Sequence, residues 1–218
     1  MPLAAPIAVP IPVLHAVTSD EIAARPGFVE RASAVMRAIG PRGAIHLRAQ
    51  RLSAAQVHAM ATELVRVQMA SGCWLVINDR IDLALATGAR GVQLTSRSMG
   101  VGNARSIAPR LPLGASVHGV DQAVAAQRDG ATWAVVGQVI GPEEGRVPEP
   151  GQGEALVRAV SESTIIPIIA IGGIQPQHVS GLRLAGAWGI AVIRGIWATP
   201  DAEAAATDYL SHYDAAVG

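Results

Sequence analysis

All seventeen basic residues of this 218-residue chain are arginine; there is no lysine. Schiff-base chemistry and the phosphate-gripping lysine of nucleotide-binding loops are therefore excluded. The single cysteine, Cys73, excludes an internal disulfide framework and a multi-cysteine zinc site, and the six histidines form no H-x-x-x-H pair. Histidine is the side chain left to move a proton near neutral pH. His118, in the run GASVHG, has a glycine beside it that leaves room for a ligand; a packed or surface histidine is the plain alternative. Gly172-Gly173 and Arg194-Gly195 each follow an apolar run and suit an anion. Glycine lets backbone N–H groups approach phosphate oxygens, and arginine adds a charge-assisted bond. Tight turns and a solvated arginine are the alternatives there. Asn78-Asp79-Arg80 offers one carboxylate, which either ligates magnesium or, more economically, caps the helix that follows. Cys73 opens an apolar run and reads as buried.

These residues must be carried by the elements around them. Short, nearly continuous apolar runs occur at 12–17, 44–48, 73–77, 91–94, 112–117, 132–136, 166–171 and 188–193, the mark of parallel strands covered on both faces. Helical patterns lie between them at 53–70, 79–87, 102–109, 119–129, 153–162, 175–184 and 200–215. Ser53 reads as an N-cap, and Pro176 and Pro200 as first-turn prolines. The alternation predicts an α/β fold, a single-domain (β/α)8 TIM barrel over 13–218 behind a loosely ordered leader at 1–12. A doubly wound open sheet is the competitor, lowered because the first βα turn, HAVTSDE, lacks G-x-G-x-x-G.

In a barrel the C-terminal strand ends hold the site. Those ends carry His15, His46 with Arg48, Asn78, Gln93, Ser116 with His118, Gln138, Gly172-Gly173 and Arg194-Gly195. Few carboxylates occur among them, so the set suits anion binding and proton movement better than a metal. His15 and His46 lie within their strands, with His46 open to the barrel interior; His58, His178 and His212 fall on helical patterns and read as exposed. The Pro/Gly-rich stretch 141–153 is a long loop over the active site.

Composition narrows the class further. Half the residues are apolar and mean hydropathy is +0.33, which excludes intrinsic disorder. Positive and negative charges cancel, so no nucleic-acid partner is expected. Aromatic residues make up 3%, too few for a base-stacking platform. No apolar run approaches the roughly 20 residues of a membrane span, and no basic segment precedes the apolar lead, so no membrane partner and a cytoplasmic location are expected.

Several segments together resemble the thiamine phosphate synthase/TenI superfamily: LHAVTSD (14–20), AIHLRAQRLSAAQV (44–57), NDRIDLALATGARGVQL (78–94), GASVHG (114–119), VVGQVI (135–140), IPIIAIGGIQPQHV (166–179) and AGAWGIAVIRGIW (185–197). The resemblance implies a (β/α)8 barrel acting in thiamine biosynthesis. The synthase branch joins a pyrimidine pyrophosphate to a thiazole phosphate with magnesium. Its pattern has R-x-K after strand two, a carboxylate-bearing G-Q-E-D after strand four and a Thr/Lys-rich loop after strand six. Here those places read Arg48-Ala49-Gln50, Thr95-Ser96-Arg97 and GPEEGRVPEPGQG. Arg48, Arg97 and Arg146 are the cations available in place of lysine.

The TenI branch looks closer, on Ser116-Val117-His118 and the V-Q-L of strand four. It implies a metal-independent thiazole tautomerase, an isomerase that aromatises a thiazole carboxylate phosphate, with His118 moving the proton. Substrate contacts would come from Arg48, Asn78, Gln93, Ser116 and Gln138, and phosphate contacts from Gly172, Gly173, Arg194 and Gly195. No metal or other cofactor is expected, magnesium entering only with the synthase alternative. A non-catalytic regulator that binds a phosphorylated ligand is the other alternative. Ala49 and Arg194 depart from the branch's usual acidic and small polar residues. The expected partner is a small phosphorylated thiazole, and self-association is left open.

Overall fold

A computed structural model describes residues 10–140 and 152–216. The eight apolar runs form eight parallel strands: β1 (Leu14–Val17), β2 (Gly43–Leu47), β3 (Trp74–Asn78), β4 (Gly91–Leu94), β5 (Leu113–Val117), β6 (Trp133–Gly137), β7 (Ile168–Ile171) and β8 (Gly189–Val192). They pair in sequence order, and β8 returns to β1, closing the barrel. Closure removes the open-sheet competitor. It also explains the unbroken apolar runs, because each strand has helices on one face and the barrel interior on the other. Along β3, Leu75 and Ile77 join the core under the helices, while Trp74 and Val76 join an inner cluster with Ala44, Trp133, Val135 and Ile169.

Ten helices surround the ring among the described residues: α1 (Asp20–Ala23), α2 (Phe28–Ile39), α3 (Ala54–Ser71), α4 (Ile81–Thr87), α5 (Val101–Ile107), α6 (Val120–Arg128), α7 (Gln152–Ser163), α8 (Val179–Leu184), α9 (Arg194–Trp197) and α10 (Ala202–Ala215). The start of α3 is fixed by a capping box. Gln56 N–H donates to the Ser53 hydroxyl, and Ser53 N–H donates to the Gln56 side chain. Gly72 ends the helix in the left-handed conformation that glycine adopts freely.

Three expectations change. The pattern at 28–39 is a helix absent from the sequence reading, with Phe28, Ala32, Val35, Met36 and Ile39 buried at helical spacing. The stretch from 175 is a short 3-10 turn, Pro176–His178, before α8. Asp79 caps nothing: α4 begins at Ile81 behind Arg80, without a side-chain cap bond.

Of the expected leader, residues 1–9 lie outside the described residues. Ile11 and Pro12 are buried, and the Ile11 carbonyl accepts a hydrogen bond from Trp188 Nε1 at 2.8 Å. The 141–153 loop lies, up to residue 151, outside the described residues. Among those described, no helix is long and apolar enough to cross a membrane.

Candidate functional site

The inward parity of the strands stacks polar residues above the inner apolar cluster. His15 and His46, both buried, meet at 2.7 Å through Nδ1 and Nε2, and His15 Nε2 lies 2.9 Å from the Pro12 carbonyl. A carbonyl only accepts, so His15 carries its proton on Nε2, and His46 Nε2 donates to His15 Nδ1. Burial pushes the His15 imidazole down to about 4 and holds His46 well below its usual value, the His15 neighbour adding to the effect on His46. Beside them Gln93 is held at both ends. Its Nε2 donates to Ser116 Oγ at 3.0 Å, and its Oε1 accepts from Trp133 Nε1 at 3.0 Å.

A cavity of about 390 Å³ opens above this layer at the C-terminal strand ends. Its walls include His46, Arg48 and Gln50 from β2 and its loop, Asn78 from β3, and Gln93, Thr95, Ser96 and Arg97 from β4 and its loop. Ser116, His118, Gln138 and Gly172 add to them, with Gly137 and the apolar Val17, Val117, Val135, Ile171 and Ile193 between. Asn78 is buried, and its Oδ1 has no hydrogen-bond partner among the described residues. His118 Nδ1 lies 2.8 Å from the Gly137 carbonyl, and its backbone N–H donates to Gln122 Oε1 at 2.9 Å. The carbonyl again fixes the tautomer. Nδ1 holds the proton, and Nε2 is the nitrogen left to accept one.

Of the residues singled out from sequence, Arg48, Asn78, Gln93, Ser116, His118, Gln138 and Gly172 converge on the cavity wall. Gly173, Arg194 and Gly195 are not part of that wall. Arg194 is exposed on α9, and the space a Gly195 side chain would fill holds the Tyr209 hydroxyl, itself bonded to the Ile174 carbonyl at 2.9 Å. Gly172 and Gly173 both take positive φ, 114° and 67°, a conformation that favours glycine. His46, one of the strand-end residues, reaches the wall as well, and so do Gln50 and Thr95. Gln50 and Thr95 entered the sequence reading only as the residues standing at the synthase branch's pattern positions. Cys73 is buried just before β3, and burial pushes its thiol up to about 12, so it is no nucleophile.

Asp79 follows β3 in the left-handed region, at φ 64°, which Asp tolerates better than most side chains. Its Oδ1 accepts from the Thr95 N–H at 3.1 Å, from Thr95 Oγ1 at 2.8 Å and from Ser98 Oγ. Its Oδ2 accepts from Gln50 Nε2 at 3.2 Å. Partial burial raises the carboxyl, but the bonds from Ser98, Thr95 and Gln50 outweigh it and hold the group below its usual value. A magnesium ion at Asp79 would have to displace these donors. No group of three or more His, Cys, Asp or Glu side chains is placed to hold a metal among the described residues. Magnesium needs near-octahedral oxygen ligation, commonly from one or two carboxylates with substrate phosphates. The described residues do not fit it.

The sequence profile described as "Thiamine monophosphate synthase" matches residues 14–196. A thiamine-phosphate synthase of Methanospirillum hungatei is 37% identical over 194 residues, covering 88% of this chain and 94% of the relative. One from Roseiflexus castenholzii is 32% identical over 194 residues, covering 88% and 84%. The solved thiamine phosphate pyrophosphorylase of Pyrococcus furiosus superposes with a TM-score of 0.82 at 30% identity, covering 94% of this chain and 97% of that one. These names back the synthase alternative better than the tautomerase and isomerase readings, for which they give no support. With the profile spanning most of the chain and relatives above 30% identity along nearly all of it, the chain belongs to the thiamine phosphate synthase/TenI family.

Proposed function

We propose that this enzyme acts on a phosphorylated thiazole in thiamine biosynthesis, and that it aromatises a thiazole carboxylate phosphate by proton transfer without a metal. The observation that carries this reading is the His118–Gly137 hydrogen bond, which leaves the imidazole with Nε2 unshared among the described residues at the cavity wall. Nε2 takes the proton from the ring carbon bearing the carboxylate. The electron pair of that C–H bond enters the ring and shifts the exocyclic double bond inward. A proton then returns from the imidazolium to the exocyclic carbon, so atoms and charge balance and the ring becomes aromatic. Arg48 and Gln93 suit the carboxylate end, and the Gly172–Gly173 turn suits the phosphate.

A second reading, synthesis of thiamine phosphate, is favoured by the names of the relatives. Against it stand the occupied Asp79 carboxylate and the absence of lysine, because a departing pyrophosphate needs cationic support.

One experiment separates the two. The pure protein is given the thiazole carboxylate phosphate in one vessel, and magnesium, pyrimidine pyrophosphate and thiazole phosphate in another. Multiple-turnover aromatisation, followed by proton NMR, supports the first reading. Multiple-turnover release of thiamine phosphate, with no aromatisation, replaces it with the second.

A further inference from the structure

Asp79 stands between two loops and is bonded to both. The loop after β2 reaches it through Gln50, and the loop after β4 through Thr95 and Ser98. Ser98 also accepts the Thr95 N–H at 2.8 Å, which closes the short turn that holds Arg97. The two pocket arginines, Arg48 and Arg97, belong to these bracketed loops. Neither guanidinium forms a hydrogen bond or ion pair among the described residues, whereas Arg42, Arg66, Arg80 and Arg128 are each paired with a carboxylate. The closed ring sets β7, with Gly172 at its end, directly across from β3, and β5, with His118 after it, midway between. The cavity thus has a cationic side at β2–β4, a glycine turn opposite, and the histidine between them.

We propose that Asp79 is a positioning residue that holds Arg97, together with Arg48, to receive a carboxylate on the ligand end opposite the Gly172 turn. This rests on the phosphorylated-thiazole reading above and adds the residues that select for its carboxylate. A carboxylate held by hydroxyl and amide donors fixes a loop without needing a cation. The guanidinium beside it therefore stays available for the ligand, and its loss removes a charge-assisted bond that only an anionic group can make.

The test is calorimetric binding to the whole chain, which does not depend on turnover. The two probes are 4-methyl-5-(2-phosphooxyethyl)thiazole and its 2-carboxylate. The unsubstituted protein should bind the carboxylated probe about tenfold more tightly or better. Arg97→Gln and Asp79→Ala should each abolish most of that preference, leave the plain phosphate within about twofold, and add little to one another when combined. Arg97 is exposed, so its variant keeps the test valid where Asp79→Ala perturbs folding. A preference that survives Arg97→Gln, or an Asp79→Ala variant that weakens both probes equally, overturns the proposal. Equal binding of both probes to the unsubstituted protein overturns it too, while the phosphorylated-ligand reading stands. Binding of neither probe overturns both.

Discussion

His118 Nδ1 lies 2.8 Å from the carbonyl oxygen of Gly137, joining the end of β5 to the end of β6. Because the carbonyl has no proton to give, this contact decides which imidazole nitrogen is basic. His118→Gln keeps a polar side chain of similar reach and removes the exchangeable proton. Turnover in the aromatisation assay should fall by roughly 10²–10⁴, with ligand affinity changed little. A variant with the unsubstituted rate would remove His118 from the chemistry.

The His15–His46 pair makes stability depend on pH. Burial lowers the His15 imidazole to about 4 in the folded chain, from an ordinary value near 6.5. Between those values the unfolded chain binds the proton that the folded chain refuses, so stability falls as pH drops from about 6.5 to about 4. The His15 contribution alone approaches about 3 kcal/mol once pH is below both values. Urea midpoints measured at pH 7 and pH 5 should differ accordingly. His15→Gln should flatten the difference, and a variant whose pH dependence matches the unsubstituted protein would clear His15 of the effect.

The two glycine positions once grouped together should separate on substitution. Gly172→Ala forces a side chain into positive φ and against Gln138 at the cavity wall. It should cost about 1–3 kcal/mol of stability and also weaken binding of the phosphorylated probe. Gly195→Ala should lose stability by displacing the Tyr209 hydroxyl from the Ile174 carbonyl, with ligand affinity nearly intact. Thermal melts with and without the probe read both quantities. Equal loss of affinity in the two variants would return Gly195 to the phosphate site.

The strands were legible because a barrel buries both faces of each, leaving apolar runs such as WLVI and IIAI that few other arrangements produce. The strand-end rule then brought His118, Ser116, Gln93 and Asn78 to one cavity without any contact information. Asp79 was different. Its partners Thr95 and Ser98 lie 16 and 19 residues away and Gln50 lies 29 residues away, joined only because β2, β3 and β4 are neighbours. A carboxylate before a helix reads locally as a cap, and tertiary hydroxyl donors overrode that. Gly195 carries a packing need that its local sequence does not show. A loop after the last strand matched the phosphate rule, while the packing need there is set by Tyr209 on α10.

The Asp79 bracket makes a prediction about magnesium that one substitution can invert. Three donors converge on Oδ1 and one on Oδ2, so a cation gains little there beyond what the hydroxyls and amides already supply. The unsubstituted chain should show no manganese binding tighter than about millimolar by electron paramagnetic resonance, manganese sharing magnesium's preference for oxygen ligands. Aromatisation should proceed unchanged in a chelator. Ser98→Asp replaces the hydroxyl against Asp79 with a second carboxylate. Two like charges at that spacing repel, which favours either a shared proton or a bound cation. The variant should therefore gain manganese affinity by about tenfold or more, and lose stability when metal is withheld. Tight manganese binding by the unsubstituted chain would show that the hydroxyl bracket yields to a metal, and would strengthen the synthase reading at the expense of the tautomerase one.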